Sequence, residues 1–237
     1  MSLSIGPIAV IGAMAEEISL LLDHMENVTT STSAGIEYHV GQLRGKRVVA
    51  VKSGVGKVNA AICTQILIDR YAAGKVIFTG VAGALDPSLA IGDIVVSSEC
   101  MYHDMDVTAL GFPLGTIPFE SRSVFPSDAE LAKLAMESGA GWFDGRIVQG
   151  RVLSGDQFVA DRGVVRKLRE ELHGACTEME GAAVAHVCAM NGVAHVIIRS
   201  MSDRADGSAP DNFRQFTERA AANSYRIVEG ILDRLSS

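Results

Sequence analysis

The chain has 237 residues, 48% apolar and 21% charged, with 24 Gly and 6 Pro, a composition that excludes a disordered chain, a collagen-like repeat and a coiled coil. Lysine and arginine number 21 against 28 acids, a formal net charge of -7 with no basic cluster, which argues against a nucleic-acid partner. A chain of this size buries roughly 70–75% of its unfolded surface around one core, so one domain over residues 1–237 is expected.

Along the chain, short β-branched runs bounded by Gly alternate with longer segments of helical period. The opening MSLSIGPIAVIGAMAEE has no basic residue before its apolar stretch and acids directly after it, unlike a signal peptide. Ile8–Ile11 reads as the first strand and Glu16–Met25 as the first helix. Tyr38–Leu43 and Arg47–Val51, joined by Arg-Gly-Lys, read as a hairpin, which makes the expected sheet mixed. Val58–Tyr71 has helical period, then Val76–Phe78 and Ile94–Val96 read as strands. Tyr102 to Pro126 is a long irregular stretch rich in aromatic residues and Pro, and such loops are usually functional or interfacial. Helical period returns at Asp128–Glu137, Gly163–Leu172, Gly181–Met190 and Phe213–Leu235. Between these helices the runs Ile147–Leu153, Cys176–Met179 and Val196–Ile198 read as strands. The pattern is that of an α/β sandwich whose sheet is covered on both faces. No apolar run approaches the ~18 residues of a membrane span. Cys63, Cys100, Cys176 and Cys188 are widely separated and form no C-x-x-C pair, so buried thiols in a reducing cytoplasm are expected.

Two Gly-rich turns invite a nucleotide reading. Ser53–Val58 (SGVGKV) lacks the first Gly of a phosphate loop and has Val58 where Ser or Thr would hold magnesium. Thr79–Ala84 (TGVAGA) lacks the G-x-G-x-x-G spacing of a dinucleotide site. Both can be plain tight turns, or can bring backbone close to a ligand because Gly has no Cβ. Three strands end in acids: Ile8–Ile11 leads to Glu17, Cys176–Met179 contains Glu178 and leads to Glu180, and Val196–Ile198 leads through Arg199 to Asp203. Acids favour the first turn of a helix in any case. Carboxyl ends of strands are also where open α/β sheets bind ligands, and three carboxylates in one pocket would suit acid/base work and the grip on a sugar diol. His103-Asp104-Met105-Asp106 lacks the ligand set of a metal site and reads as a polar loop. No cofactor and no metal are expected.

Eight stretches in order resemble the 5′-methylthioadenosine/S-adenosylhomocysteine nucleosidases of the nucleoside phosphorylase superfamily. They are IGAMAEEI (Ile11–Ile18), SGVGKVNAA (Ser53–Ala61), TGVAGAL (Thr79–Leu85), GDIVVS (Gly92–Ser97), YHDMDVTALGF (Tyr102–Phe112), SGDQFV (Ser154–Val159), EMEGAAVAHVC (Glu178–Cys188) and RSMSDRAD (Arg199–Asp206). The resemblance implies a phosphorylase/nucleosidase-like fold, a three-layer α/β sandwich with a central mixed β-sheet, in a cytoplasmic homodimer. It implies hydrolysis of the bond between adenine and ribose in methylthioadenosine and S-adenosylhomocysteine, with 5′-deoxyadenosine and 6-amino-6-deoxyfutalosine as extensions. Asp203 matches the general acid and Glu17 the general base. Ser202 is expected to orient Asp203, and Arg199 to help hold the water. Glu180 would accept from the ribose hydroxyls and Met179 would pack on the sugar. Phe158 would stack on adenine and the Val159 backbone would read its edge. Val81, Ala82, Gly83 and Glu178 complete the expected binding set, with Val81 standing where Ser is common in the family. Leu110 and Pro118 would cap the neighbouring subunit's 5′ pocket. The rival readings are a nucleoside phosphorylase and a non-catalytic adenosine-binding module.

Overall fold

The computed structural model describes residues 6–205 and 209–235; Asp206, the last residue of the eighth matching stretch, lies outside them. In chain order the elements are β1 (Ile8–Gly12), α1 (Ala15–His24), β2 (Glu26–Ser33), β3 (Ile36–Leu43), β4 (Lys46–Lys52), α2 (Lys57–Tyr71), β5 (Lys75–Ala84), β6 (Ile94–Tyr102), a 3-10 turn (Thr108–Leu110), β7 (Val124–Pro126), α3 (Ala129–Ser138), β8 (Ile147–Ser154), α4 (Arg162–Leu172), β9 (Gly174–Glu178), α5 (Gly181–Asn191), β10 (Ala194–Asp203) and α6 (Ala209–Arg234).

The strands form one mixed sheet in the order β10-β6-β8-β9-β5-β1-β4-β3-β2, with β7 on β6 and a further pairing of β10 with β5. That extra pairing closes β10, β6, β8, β9 and β5 into a ring, from which β1 to β4 extend as an open flange. β1 lies parallel to both β4 and β5, and β10 lies parallel to β5. The residues of these strands alternate between two cores. Ala9, Ile11, Val49, Val51, Val76 and Phe78 enter the core shared with α2 and α5. Ile8, Val10, Val48, Ala50 and Ile77 enter the core shared with α1, α3 and α6. Burial on both faces is why these strands read as unbroken apolar runs. It also makes three layers, helices on either side of the sheet.

The expected hairpin is present, with Tyr38 opposite Val51 and Leu43 opposite Lys46. Its turn residues Arg44 (φ 53°) and Gly45 (φ 70°) are both left-handed, as a two-residue turn matching strand twist requires. Elsewhere the structure corrects the sequence reading. Thr79–Ala84 is not a turn but the second half of β5, and Arg199–Asp203 likewise continues β10. β2 runs through ENVTTSTS, a polar edge strand exposed along most of its length, and β7 lies inside the stretch read as a loop. All four cysteines are buried and unbridged. Among the described residues no helix is long and apolar enough to cross a membrane.

Candidate active site

A cavity of about 330 Å³ opens where β1, β5, β9 and β10 end, within the range of small-molecule sites. Of the sequence-derived residues, Glu17, Val81, Ala82, Gly83, Phe158, Val159, Glu178, Met179, Glu180, Ser202 and Asp203 line it. Three strands and three helix approaches therefore deliver their acids to one place.

Glu17 lies in the first turn of α1, immediately after β1. Its side chain folds back so that Oε2 accepts from the N–H groups of Ala13 (2.6 Å) and Met14 (3.0 Å), while Oε1 accepts from Val81 N–H (3.0 Å). The residue is 3% exposed. Burial pushes its carboxyl above the usual glutamate range, against the opposing pull of Arg199 and of the three backbone donors. A base of raised proton affinity, held in one orientation, is suited to take a proton from water. Gly80 passes so close that a Cβ there would lie 2.2 Å from Arg199 Nη1 and 2.3 Å from Glu17 Oε1. The glycine is needed for that approach, which is to two side chains of the chain itself.

Asp203 ends β10. Its Oδ2 accepts from Ser202 Oγ–H (2.9 Å) and its Oδ1 from Ala205 N–H (2.7 Å). Consecutive strand residues ordinarily face opposite ways, yet Ser202 and Asp203 both line the cavity. The register against β5 slips between Met201 and Asp203, and such an irregularity re-aims side chains. Gly83 lies against this carboxylate, where a Cβ would be 2.8 Å from Asp203 Oδ1.

Glu178 and Glu180 flank Met179 at the junction of β9 and α5. Glu178 accepts from Ser154 Oγ–H, from the N–H groups of Glu180 (3.1 Å) and Gly181 (2.8 Å), and from Arg199 Nη2. Its oxygens are thus occupied in capping α5 and pairing Arg199. Glu180 accepts from Gly56 N–H at 2.7 Å. Burial, and then the charge of Glu178, push its carboxyl up to about 8.

Arg199 does not line the cavity. It is 1% exposed, with its guanidinium 4.0 Å from the centre of the Phe78 ring. The ion pair with Glu178 draws it behind the wall, with Glu180 at 3.8 Å. Burial alone would lower its proton affinity, but the charges of Glu178, Glu17 and Glu180 outweigh that and raise it. The guanidinium is the counter-charge for the buried carboxylates, and its Nη1 lies beside Gly80 close to the Glu17 carboxylate.

Leu110 and Pro118 are also outside the lining. Leu110, in the 3-10 turn, is 71% exposed. Six lining residues escaped the sequence reading: Ala13, Met14, Val55, Gln157, Thr177 and Phe213. Ala13 and Met14 follow a strand, and Val55 and Gln157 sit inside quoted motifs, so position after a strand was the available signal. Phe213 had none, being on a helix distant in sequence. It meets Phe158 edge-on, ring centres 5.7 Å apart. The acids of the His103–Asp106 stretch are engaged elsewhere: Asp104 pairs with Lys57, and Asp106 accepts from Thr108 N–H and Oγ–H.

Comparison with known proteins gives concordant results. The profile of the phosphorylase superfamily matches residues 7–233. A 5′-methylthioadenosine/S-adenosylhomocysteine nucleosidase from Shewanella halifaxensis is 41% identical over 229 residues, 96% of this chain and 99% of the relative. The solved nucleosidase of the same kind from Neisseria meningitidis, in complex with methylthio-immucillin-A, superposes with a TM-score of 0.93 at 40% identity, covering 97% of this chain and 100% of that one. Futalosine hydrolase of Helicobacter pylori superposes with a TM-score of 0.93 at 34% identity, covering 98% and 99%.

Proposed function

The chain belongs to the phosphorylase superfamily and within it to the 5′-methylthioadenosine/S-adenosylhomocysteine nucleosidases, and we infer that it hydrolyses the N-glycosidic bond of those two nucleosides and releases adenine. The observation that carries this reading is a nucleoside-sized cavity whose four buried acids include Glu17 and Asp203 at separate strand ends. An adenosine-binding module has no use for that pair, whereas cleavage needs an acid at the base and a base at the water.

Adenine leaves poorly as an anion, so the carboxyl group of Asp203 donates its proton to ring nitrogen N7 as the glycosidic bond breaks. Ser202, whose hydroxyl donates to Oδ2, holds that carboxyl in place. Water adds to the cationic sugar carbon from the other face, and Glu17 accepts its proton. The bond that forms is C–O, the bond that breaks is C–N, and the electron pair of the latter stays on adenine. Glu180 accepts from the ribose hydroxyls, an interaction that can strengthen as the sugar flattens. Phe158 stacks on adenine, Val159 and the Val81–Gly83 backbone border it, and Met179 packs on the sugar. Glu178 acts through others, fixing Arg199 and the start of α5.

Water rather than phosphate is the nucleophile in this reading. A phosphorylase needs cationic donors where its dianion sits, but the turn after β1 carries Glu16 and Glu17. A carboxylate within ~4 Å of phosphate is repelled by several kcal/mol at an effective dielectric near 20. The functional particle is a homodimer in the cytoplasm, one nucleosidase domain per chain, in which Leu110 and Pro118 of one subunit close the other's 5′ pocket. The similarity to a futalosine hydrolase supports 6-amino-6-deoxyfutalosine as a further substrate, alongside 5′-deoxyadenosine. Chromatography of adenine released from each of these nucleosides by the purified protein tests the assignment. Release from methylthioadenosine is expected, and release from none would overturn it.

A further inference from the structure

Lys57, the first residue of α2, has a side chain 24% exposed that reaches two aspartates from two other segments. Its Nζ lies 2.5 Å from Asp104 Oδ2 and 3.6 Å from Asp156 Oδ2, and 5.5 Å from the centre of the Tyr102 ring. Backbone bonds tighten the same knot. Lys57 N–H donates to Asp156 Oδ1 and Asp156 N–H donates to Asp104 Oδ2, each at 2.9 Å. The segment after β6, the segment after β8 and the start of α2 are thereby closed into a ring of hydrogen bonds around one ammonium group.

The neighbours of that ring in sequence lead to the active cavity. One residue before Lys57, the Gly56 N–H donates to Glu180 Oε1 at 2.7 Å. Gly56 has φ +98°, a left-handed backbone favouring glycine, and a Cβ on it would be 3.2 Å from Asp156 Oδ1. One residue after Asp156 begins Gln157-Phe158-Val159, all of which line the cavity. Without the cation, Asp104 and Asp156 would confront each other as like charges in a partly desolvated setting. The turn that carries Gly56 N–H and the segment that carries Phe158 would then lose their common anchor.

We propose that Lys57, held by Asp104 and Asp156, is a positioning residue that sets the Glu180 carboxylate for the ribose hydroxyls by fixing the Gly56 amide. It touches no substrate atom. This rests on the reading of the cavity as a nucleosidase site, and it adds a requirement that no lining residue reveals. Its signature is selectivity for the sugar hydroxyl, because a grip that is correctly aimed loses most when its donor is removed.

The test compares kcat/KM for methylthioadenosine with that for its 3′-deoxy analogue. In the wild type the missing hydroxyl should cost at least about 10²-fold, as expected for a site built to bond it. Lys57→Met should shrink that ratio by about tenfold, the scale of a misplaced hydrogen bond to a charged group, and Lys57→Arg should restore most of it. Asp104→Asn, which keeps an acceptor for the Asp156 N–H, should shrink the ratio in the same way, and it decides the matter if Lys57→Met does not fold. A wild-type ratio retained in the folded variants, with only the melting temperature lowered, would overturn the positioning role. That outcome is distinct from failure of the functional reading, in which the wild-type protein itself would release no adenine from methylthioadenosine.

Discussion

Glu17 and Asp203 are both buried acids near strand ends, yet their surroundings differ in kind. Three backbone N–H groups hold Glu17, which suits a carboxylate that waits as a base. Asp203 is held at one oxygen by a hydroxyl and at the other by Ala205 N–H. Asp203→Asn retains an acceptor in the same shape but no transferable proton. It should lower kcat on methylthioadenosine by at least ~10²-fold while leaving the melting temperature close to wild type. Steady-state kinetics with a thermal scan check this, and near-normal turnover would remove Asp203 from the role of acid. Glu180 gives the stability a pH dependence of its own. Its carboxyl, ordinarily near 4.5, is raised to about 8 by burial and by Glu178. The folded state therefore binds a proton that the unfolded state has released, and stability falls as pH rises from the ordinary value through about 8. Glu180→Gln removes that dependence. Its melting temperature should gain on wild type steadily between pH 5 and roughly 8, and parallel curves would contradict the shift.

Among the elements, legibility in the sequence followed burial pattern. β1, β4 and the first halves of β5 and β10 are buried on both faces and rich in Val and Ile, so they stood out as apolar runs. The second halves of β5 and β10 read TGVAGA and RSMSD, sequences of low strand propensity. They are strands because pairing with each other and with β9 holds them, information that no local window contains. β2 was hidden for the opposite reason, since its mostly exposed side chains show no alternation. The glycines of β5 then have a specific task, which Gly80→Ala tests. The added methyl would meet Arg199 and Glu17 at 2.2 and 2.3 Å. Overpacking of this kind costs roughly 1–3 kcal/mol, and here it also displaces Glu17, the proposed base. Calorimetry should show a lower melting temperature and kinetics a loss of kcat; an alanine variant of unchanged activity would show that the close approach is dispensable.

For the whole molecule, the acids of the site were visible because each lies at or beyond the end of an apolar run, whereas the roles of Arg199, Leu110 and Pro118 depend on packing. Arg199 is withdrawn by an ion pair that only the fold creates. Leu110, Phe119, Val58 and Met190 are 71%, 93%, 69% and 77% exposed. Apolar groups of this size left in water are an association liability, so the proposed homodimer should bury them. Sedimentation at micromolar concentration should give a two-subunit particle, and a fully active monomer would contradict a shared active site.

In the proposed reaction one cavity uses Asp203 and Glu17 to cleave the glycosidic bond with water. Adenine release from methylthioadenosine, measured with and without phosphate while the sugar product is identified, tests it most directly. Equal rates in both buffers are expected, with free 5-methylthioribose as the sugar product. Turnover that requires phosphate and yields the sugar 1-phosphate would contradict it.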